Sequence, residues 1–257
     1  MPEYGFRTGT FAGQTVEQTA AELAQLGFDC LELCLEAPDV RPEELDQARC
    51  HQIRQVLDEV GIGLASVSYH GDREPPAQRR VNQERALQIA RWLGTEIVVL
   101  NPEKAVDQAQ QWLEHVAHFK QLCERAEKLD VTLALEPEPL LVIGSSQDML
   151  EMMRAVESPR LKVNLDIGHA QITDDDLIVS VRELGSAIVH LHLEDIKDRV
   201  HRHLPFGEGD IDFAALRQTL GEKGRQRVLA HYTQAQIAAQ TVKVYRELLP
   251  AADASSG

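Results

Sequence analysis

The sequence predicts an α/β protein of the closed (β/α)8 TIM-barrel class, as a single domain, on three observations. Short apolar or β-branched runs alternate with amphipathic stretches, repeating in steps of roughly 25 to 40 residues, the spacing of parallel strands joined by helical crossovers. Eight such units fit in 257 residues, an ordinary length for one barrel. The turn after the first run, RTGTFAG (7–13), is not the GxGxxG that an open dinucleotide-binding sheet places there.

The elements follow in order. Strand one is expected over 3–7. Thr15 opens the first helix with Gln18 three residues on as a capping box, and Gly27 stops it. FDCLELCL (28–35) reads as strand two, and Pro42 as an early residue of a helix over 42–60, with Gly61 after it. IGLASVSY (62–69) is strand three, followed by a helix over 76–93 closed by Gly94. EIVVLN (96–101) and VTLALE (131–136) are strands four and five, with helices over 106–129 and 147–157, the latter broken by Pro159. LKVNLD (161–166) is strand six; a helix over 174–184 ends at Gly185, its start capped by the run Asp174, Asp175 and Asp176. AIVHLHL (187–193) is strand seven, with a helix over 212–223. RVLAHY (227–232) is strand eight, and 234–248 the last helix. The barrel takes residues 1–248, leaving 249–257 as a small polar tail expected to be disordered.

Composition narrows the function classes. With 43% hydrophobic and 26% charged residues the chain is globular and buries a sizeable core. Lys plus Arg number 26 against 41 Asp plus Glu, a net charge of −15, which repels phosphate backbones and anionic membranes. No apolar run approaches the roughly 18 residues of a transmembrane helix. The N-terminus, MPEYGFRTGTF, lacks the basic and apolar regions of a secretory signal, so a cytoplasmic location is expected. Cys30, Cys34, Cys50 and Cys123 show no CxxC spacing and are expected as buried free thiols.

Chemistry in such barrels sits at the C-terminal ends of the strands. Those ends carry Arg7, Glu32 with Glu36, His70, Asn101, Glu136, Asp166 with His169, His192 with Glu194, and His231. Loop solvation explains any one of these, but not His, Asp or Glu at the ends of six strands. In VNLDIGHA (163–170), Gly168 is expected to turn the chain tightly between Asp166 and His169. In VHLHLED (189–195), alternation gives His190, His192 and Glu194 one face and the leucines the other. His190 is expected as a hydrogen-bonded core residue and His192, nearer the mouth, as a ligand. Carboxylates with imidazoles suit Mn, Mg, Co, Fe or Zn, and a thiolate zinc site is not expected. Glu138, between prolines, either orients its loop or contacts substrate. His51, His115 and His118 fall on helices, where solvation is expected, and Trp92 and Trp112 are expected to pack helices on the barrel.

HGDREP (70–75), LALEPEP (133–139), LDIGHA (165–170), HLED (192–195) and above all RHLPFGEGDIDF (202–213) make the chain resemble the xylose isomerase-like barrel superfamily, the sugar phosphate isomerase/epimerase and endonuclease IV group. The resemblance runs over about residues 1–245. It implies a divalent metal held by Glu136, Asp166 and His192, with Glu136 also the base, a substrate contact from His169, and substrate contacts from His70, Arg202 and His203 that in the endonuclease branch become metal contacts. The family's strand-eight glutamate is missing; Ala230 or His231 stands there. That makes His231 the local candidate for a second acid–base group, or for completing the metal shell; the remaining alternative is a metal that is weakly bound or absent. Asn101 stands where trinuclear endonucleases carry a further histidine.

The activity implied is a metal-dependent isomerase or epimerase acting on a small sugar, keto acid or cyclitol by proton transfer through an enediolate. The alternatives are a cyclitol dehydratase-type lyase, and a non-catalytic barrel that binds a metabolite or protein partner. A phosphodiester hydrolase of the endonuclease IV kind fits the acidic charge worst. The expected partner is a small-molecule substrate, with no nucleic acid or membrane. A second copy of the chain is a further candidate partner, since barrels of this group often pair.

Overall fold

The computed structural model describes residues 5–220 apart from Ala12. Seven strands form one parallel sheet in chain order: β1 (Gly5–Arg7), β2 (Cys30–Cys34), β3 (Gly63–Tyr69), β4 (Ile97–Leu100), β5 (Thr132–Leu135), β6 (Leu161–Asp166) and β7 (Ile188–His192). Between them run α1 (Val16–Leu26), α2 (Gln47–Val60), α3 (Pro76–Leu93), α4 (Gln108–Leu129), α5 (Ser146–Val156), α6 (Ile167–Thr173) and α7 (Leu177–Leu184). An antiparallel ribbon, β8 (Asp195–Lys197) and β9 (Val200–Leu204), follows β7 and leads to α8 (Phe213–Thr219). The sheet curls until side chains of β7 meet those of β2, with His190 and His192 at 3.1 and 3.0 Å from Glu32. This is the wall of a (β/α)8 barrel. The expected strand 227–232, helix 234–248 and tail 249–257, with His231, lie outside the described residues. No described helix is long and apolar enough to cross a membrane.

Covering on both faces explains the continuous apolar strands. Val98 to Leu100 and Leu133 to Leu135 are all fully buried, against Leu87, Leu93 and Phe119 of the helical layer. Trp92 and Trp112 pack against this core, and the four cysteines are buried, with no disulfide among the described residues.

The capping signals hold where the cap is local. Thr15 and Gln18 make both halves of a capping box, and Gly27 takes the left-handed φ of 87°. Helix α2 starts at Gln47 rather than at Pro42, because Asp46 accepts from the Arg49 amide while the chain from Arg41 to Leu45 is a turn. In the aspartate run only Asp176 caps α7, accepting from Ile178 and Val179.

His115 and His118 correct the expectation of solvation; His51 is exposed. Both lie on the face of α4 turned toward α3. His115 accepts from the Glu103 amide and donates to the Gln111 carbonyl. His118 donates to Gln83, and burial, with Arg80 nearby, pushes its pKa down to about 4.

Two elements are additional to the expected set. Helix α6 grows directly from the end of β6, and Gly168 lies inside it without a positive φ. The β8–β9 ribbon turns through Asp198 and Arg199, at φ 55° and 56°, the two-residue turn with both centres left-handed that suits hairpin twist. Arg199 then donates to the Ile172 and Asp174 carbonyls at the end of α6, tying the ribbon over the barrel mouth.

Candidate metal centre

Strand register assembles the centre. Asp166 lies beside His192, and Asn164 beside His190, in the β6–β7 ladder. Glu136 extends β5 by one residue, its amide donating to the Leu100 carbonyl, and so comes level with Asn164. Asn164 donates to Glu136 Oε2 at 3.0 Å. On the other side, Glu32 is paired with Arg7 on β1 and Ser66 on β3.

Glu136, Asp166 and His192 each present one donor atom, all within 4.8 Å of one another. His192 Nδ1 is 3.3 Å from Glu136 Oε1 and 4.0 Å from Asp166 Oδ2. Asp166 Oδ1 is engaged elsewhere, capping α6 through the Gly168 and His169 amides, which leaves Oδ2 to the centre. Two histidines flank the Glu136 carboxylate. His70 Nε2 is 3.6 Å from Oε2, and His169 Nδ1 is 3.6 Å from Oε1 while donating to the Pro137 carbonyl. Arg7 donates to His70 at 3.1 Å.

Burial opposes charge on Glu136 and His192, yet opposite charges win on both. The nearby His192, with His70, holds the Glu136 carboxyl well below the usual carboxylate range. Glu32 and Glu136 together hold the His192 imidazolium well above its ordinary value. Glu194 behaves oppositely: burial, and then the charges of Asp166 and Glu136, push it up to about 9.

Two glycines are required by this crowding. A Cβ on Gly168 would stand 1.8 Å from Glu194 Oε1, and one on Gly209 would stand 2.2 Å from Asp195 Oδ1. The expected tight turn at Gly168 is therefore a helix position whose missing side chain admits a carboxylate. Asp195 in turn accepts from the Gly207 and Gly209 amides, fixing the GEG loop beneath the ribbon.

The remaining residues divide. His203 sits at the rim, its Nδ1 2.5 Å from Glu194 Oε2. His201, not singled out from the sequence, stacks on His203 and meets the His169 ring edge-on at 4.9 Å. Arg202 is exposed and, by strand alternation, is on the ribbon's other face; adjacent residues of a strand do not share a face, and the pair on one face is His201 and His203. Asn101 is fully buried and clamped by Arg79, its amide directed to Asp72 and Glu138, which gives Glu138 its loop-orienting contact. Glu32 is the other residue that sequence reading leaves without a role. The run CLELC is buried throughout, so only register reveals that Glu32 faces inward.

The donor set fits a divalent cation. Two carboxylates and one imidazole make a site of intermediate hardness, and the buried Asn164 Oδ1 beside them has no hydrogen-bond partner among the described residues. Among the described residues, two further groups also bring donors within 4.8 Å, Glu32 with His190 and His192, and His169 with Glu194 and His201.

Fold and centre define a barrel with clustered carboxylates and imidazoles at its mouth, and a family model described as xylose isomerase-like TIM barrel matches residues 20–248. The chain belongs to that family. It is 28% identical over 214 residues to an L-ribulose-5-phosphate 3-epimerase of Shigella boydii, covering 77% of this chain and 75% of the relative. A structure of L-ribulose 3-epimerase superposes with a TM-score of 0.71 at 19% identity, covering all of both chains. The structure of IOLI protein with a zinc atom gives 0.71 at 16% identity, covering 96% of this chain and 97% of that one.

Proposed function

We propose that this protein is a divalent-metal-dependent epimerase or isomerase of a ketose or ketose phosphate, moving a proton on the carbon next to the carbonyl. The observation that carries the reading is the meeting of Glu136, Asp166 and His192 donor atoms within 4.8 Å at the barrel mouth. The sequence relationship to an L-ribulose-5-phosphate 3-epimerase supports the reaction class.

In this reading Glu136, Asp166 and His192 hold the cation. When bound, a divalent cation supplies Lewis acidity that polarises a carbonyl and raises the acidity of its neighbouring C–H. Glu136 is the base. Its charge is kept by His192 and His70, and Asn164 fixes the plane of its carboxylate. His70, His169 and His203 contact substrate hydroxyls, and Arg202 acts there only if its side chain folds back over the ribbon edge. Epimerisation needs a second proton carrier on the opposite face, and His231 takes that part.

Incubating the Mn²⁺- or Co²⁺-loaded protein with a panel of free and phosphorylated ketoses in D2O tests this. Deuterium is expected on the carbon adjacent to the carbonyl of at least one ketose, read by NMR. Absence of wash-in across the panel, with metal bound, contradicts the proposal.

A further inference from the structure

We infer that Glu32 is the positioning residue of the metal centre: its carboxylate holds the His192 ring so that Nδ1, and not Nε2, faces the gap between Glu136 and Asp166. The inference rests on the metal reading above and adds to it a residue from the opposite wall of the barrel.

Glu32 is 4% exposed. Oε1 faces Arg7 Nε at 3.0 Å. Oε2 receives the Ser66 hydroxyl at 2.9 Å, His190 Nε2 at 3.1 Å and His192 Nε2 at 3.0 Å. Imidazole has two nitrogens, and the hydrogen bond made by one decides what the other presents. With Nε2–H given to Glu32, Nδ1 is the nitrogen left to face Glu136 and Asp166, and its proton is the one a cation would displace from the imidazolium.

The same contacts rank the competing group. Glu32, His190 and His192 also gather within 4.8 Å, but the Glu32 oxygens there are already engaged by the guanidinium, the hydroxyl and two ring N–H donors. Glu32 Oε2 is saturated by three donors there, while Oε1 has the Arg7 guanidinium at 3.0 Å as an ionic contact without an aligned hydrogen bond. The Glu136 side keeps an Asn164 Oδ1 with no hydrogen-bond partner among the described residues and an Asp166 oxygen with no capping duty.

Glu32→Gln keeps the shape and breaks the logic. If the amide oxygen faces His192, the amide N–H2 faces the Arg7 Nε–H, donor against donor. If it is flipped, N–H2 faces His192 Nε2 and reverses which ring nitrogen is free. Neither orientation satisfies both neighbours.

The test is calorimetric titration of metal-free wild type, E32Q, S66A and H190Q with Co²⁺, with the visible d–d spectrum and the metal-free Tm recorded alongside. E32Q is expected to weaken Co²⁺ binding by about 10–100-fold and to change the d–d bands, while S66A and H190Q stay within about threefold of wild type. Should E32Q fail to fold, the double variant R7M/E32L removes both partners of the buried ion pair together and is expected to show the same loss. Unchanged affinity in E32Q, or in the double variant if that one is used, overturns the inference alone. An equal loss in H190Q also overturns it, by placing the cation in the Glu32–His190 cluster. A wild type that takes up no Co²⁺ overturns the metal reading and this inference with it.

Discussion

Glu136→Gln is expected to lower the rate of α-proton exchange by about 10²–10⁴-fold, the usual worth of a positioned general base. The amide is nearly isosteric and its oxygen still accepts from Asn164, which now donates to Oε2. The fold is therefore expected to survive, with circular dichroism and Tm close to wild type. On the proposed reading, what is lost is the carboxylate basicity that receives the proton, together with the charge that His192 and His70 sustain in a site only 2% exposed. Glu136→Asp keeps the charge but withdraws it by one methylene, and a displacement of about 1 Å from the reacting carbon can cost about 10²-fold. A Gln variant exchanging substrate protons at nearly the wild-type rate would remove Glu136 from the chemistry.

Asp166 carries the second large effect because its two oxygens have separate tasks. Oδ1 caps α6 through the Gly168 and His169 amides, and Oδ2 is turned to the centre. Asp166→Ala is expected to lose both: metal affinity falls by more than the roughly 100-fold that outer-shell changes produce, and metal-free stability falls by about 1 kcal/mol with the lost cap. Asp166→Asn separates the two, since asparagine caps helices nearly as well. It is expected to match alanine in metal titrations and wild type in metal-free unfolding. Equal metal affinity in wild type and the Asp166→Asn variant would show that Oδ2 is not a ligand.

How much of this is legible in the sequence follows from what each feature depends on. Strand β6 and helix α3 have their expected bounds because their signals, an apolar run into Asp166 and a helix between Pro76 and Gly94, are local. That Glu136, Asp166 and His192 end three strands at one mouth is legible because barrel topology gathers strand ends there; singling out these three rests on the family resemblance, and bringing them level rests on register. Glu32 has no such signal, because in a strand buried on both faces nothing local says which residue points inward. Its partners, Arg7, Ser66, His190 and His192, come from three other strands. Helix α6 is hidden because a glycine two residues past the cap reads as a turn, whereas the structure uses its absent Cβ to make room for Glu194. His201 has a signal that is available: in VHRHL (200–204) alternation pairs it with His203, not with Arg202. His115 and His118 show the limit of reading helix faces from polarity alone, since α3 and the β4–α4 loop supply hydrogen-bond partners that let imidazoles be buried.

Anomalous diffraction from crystals of the protein grown with Co²⁺ or Zn²⁺ tests the central claim most directly. A single strong peak is expected at about 2.0–2.2 Å from one oxygen each of Glu136 and Asp166 and from His192 Nδ1. A peak instead among His169, Glu194 and His201, or between Glu32 and His190, or no peak from protein shown to bind metal in solution, would contradict it.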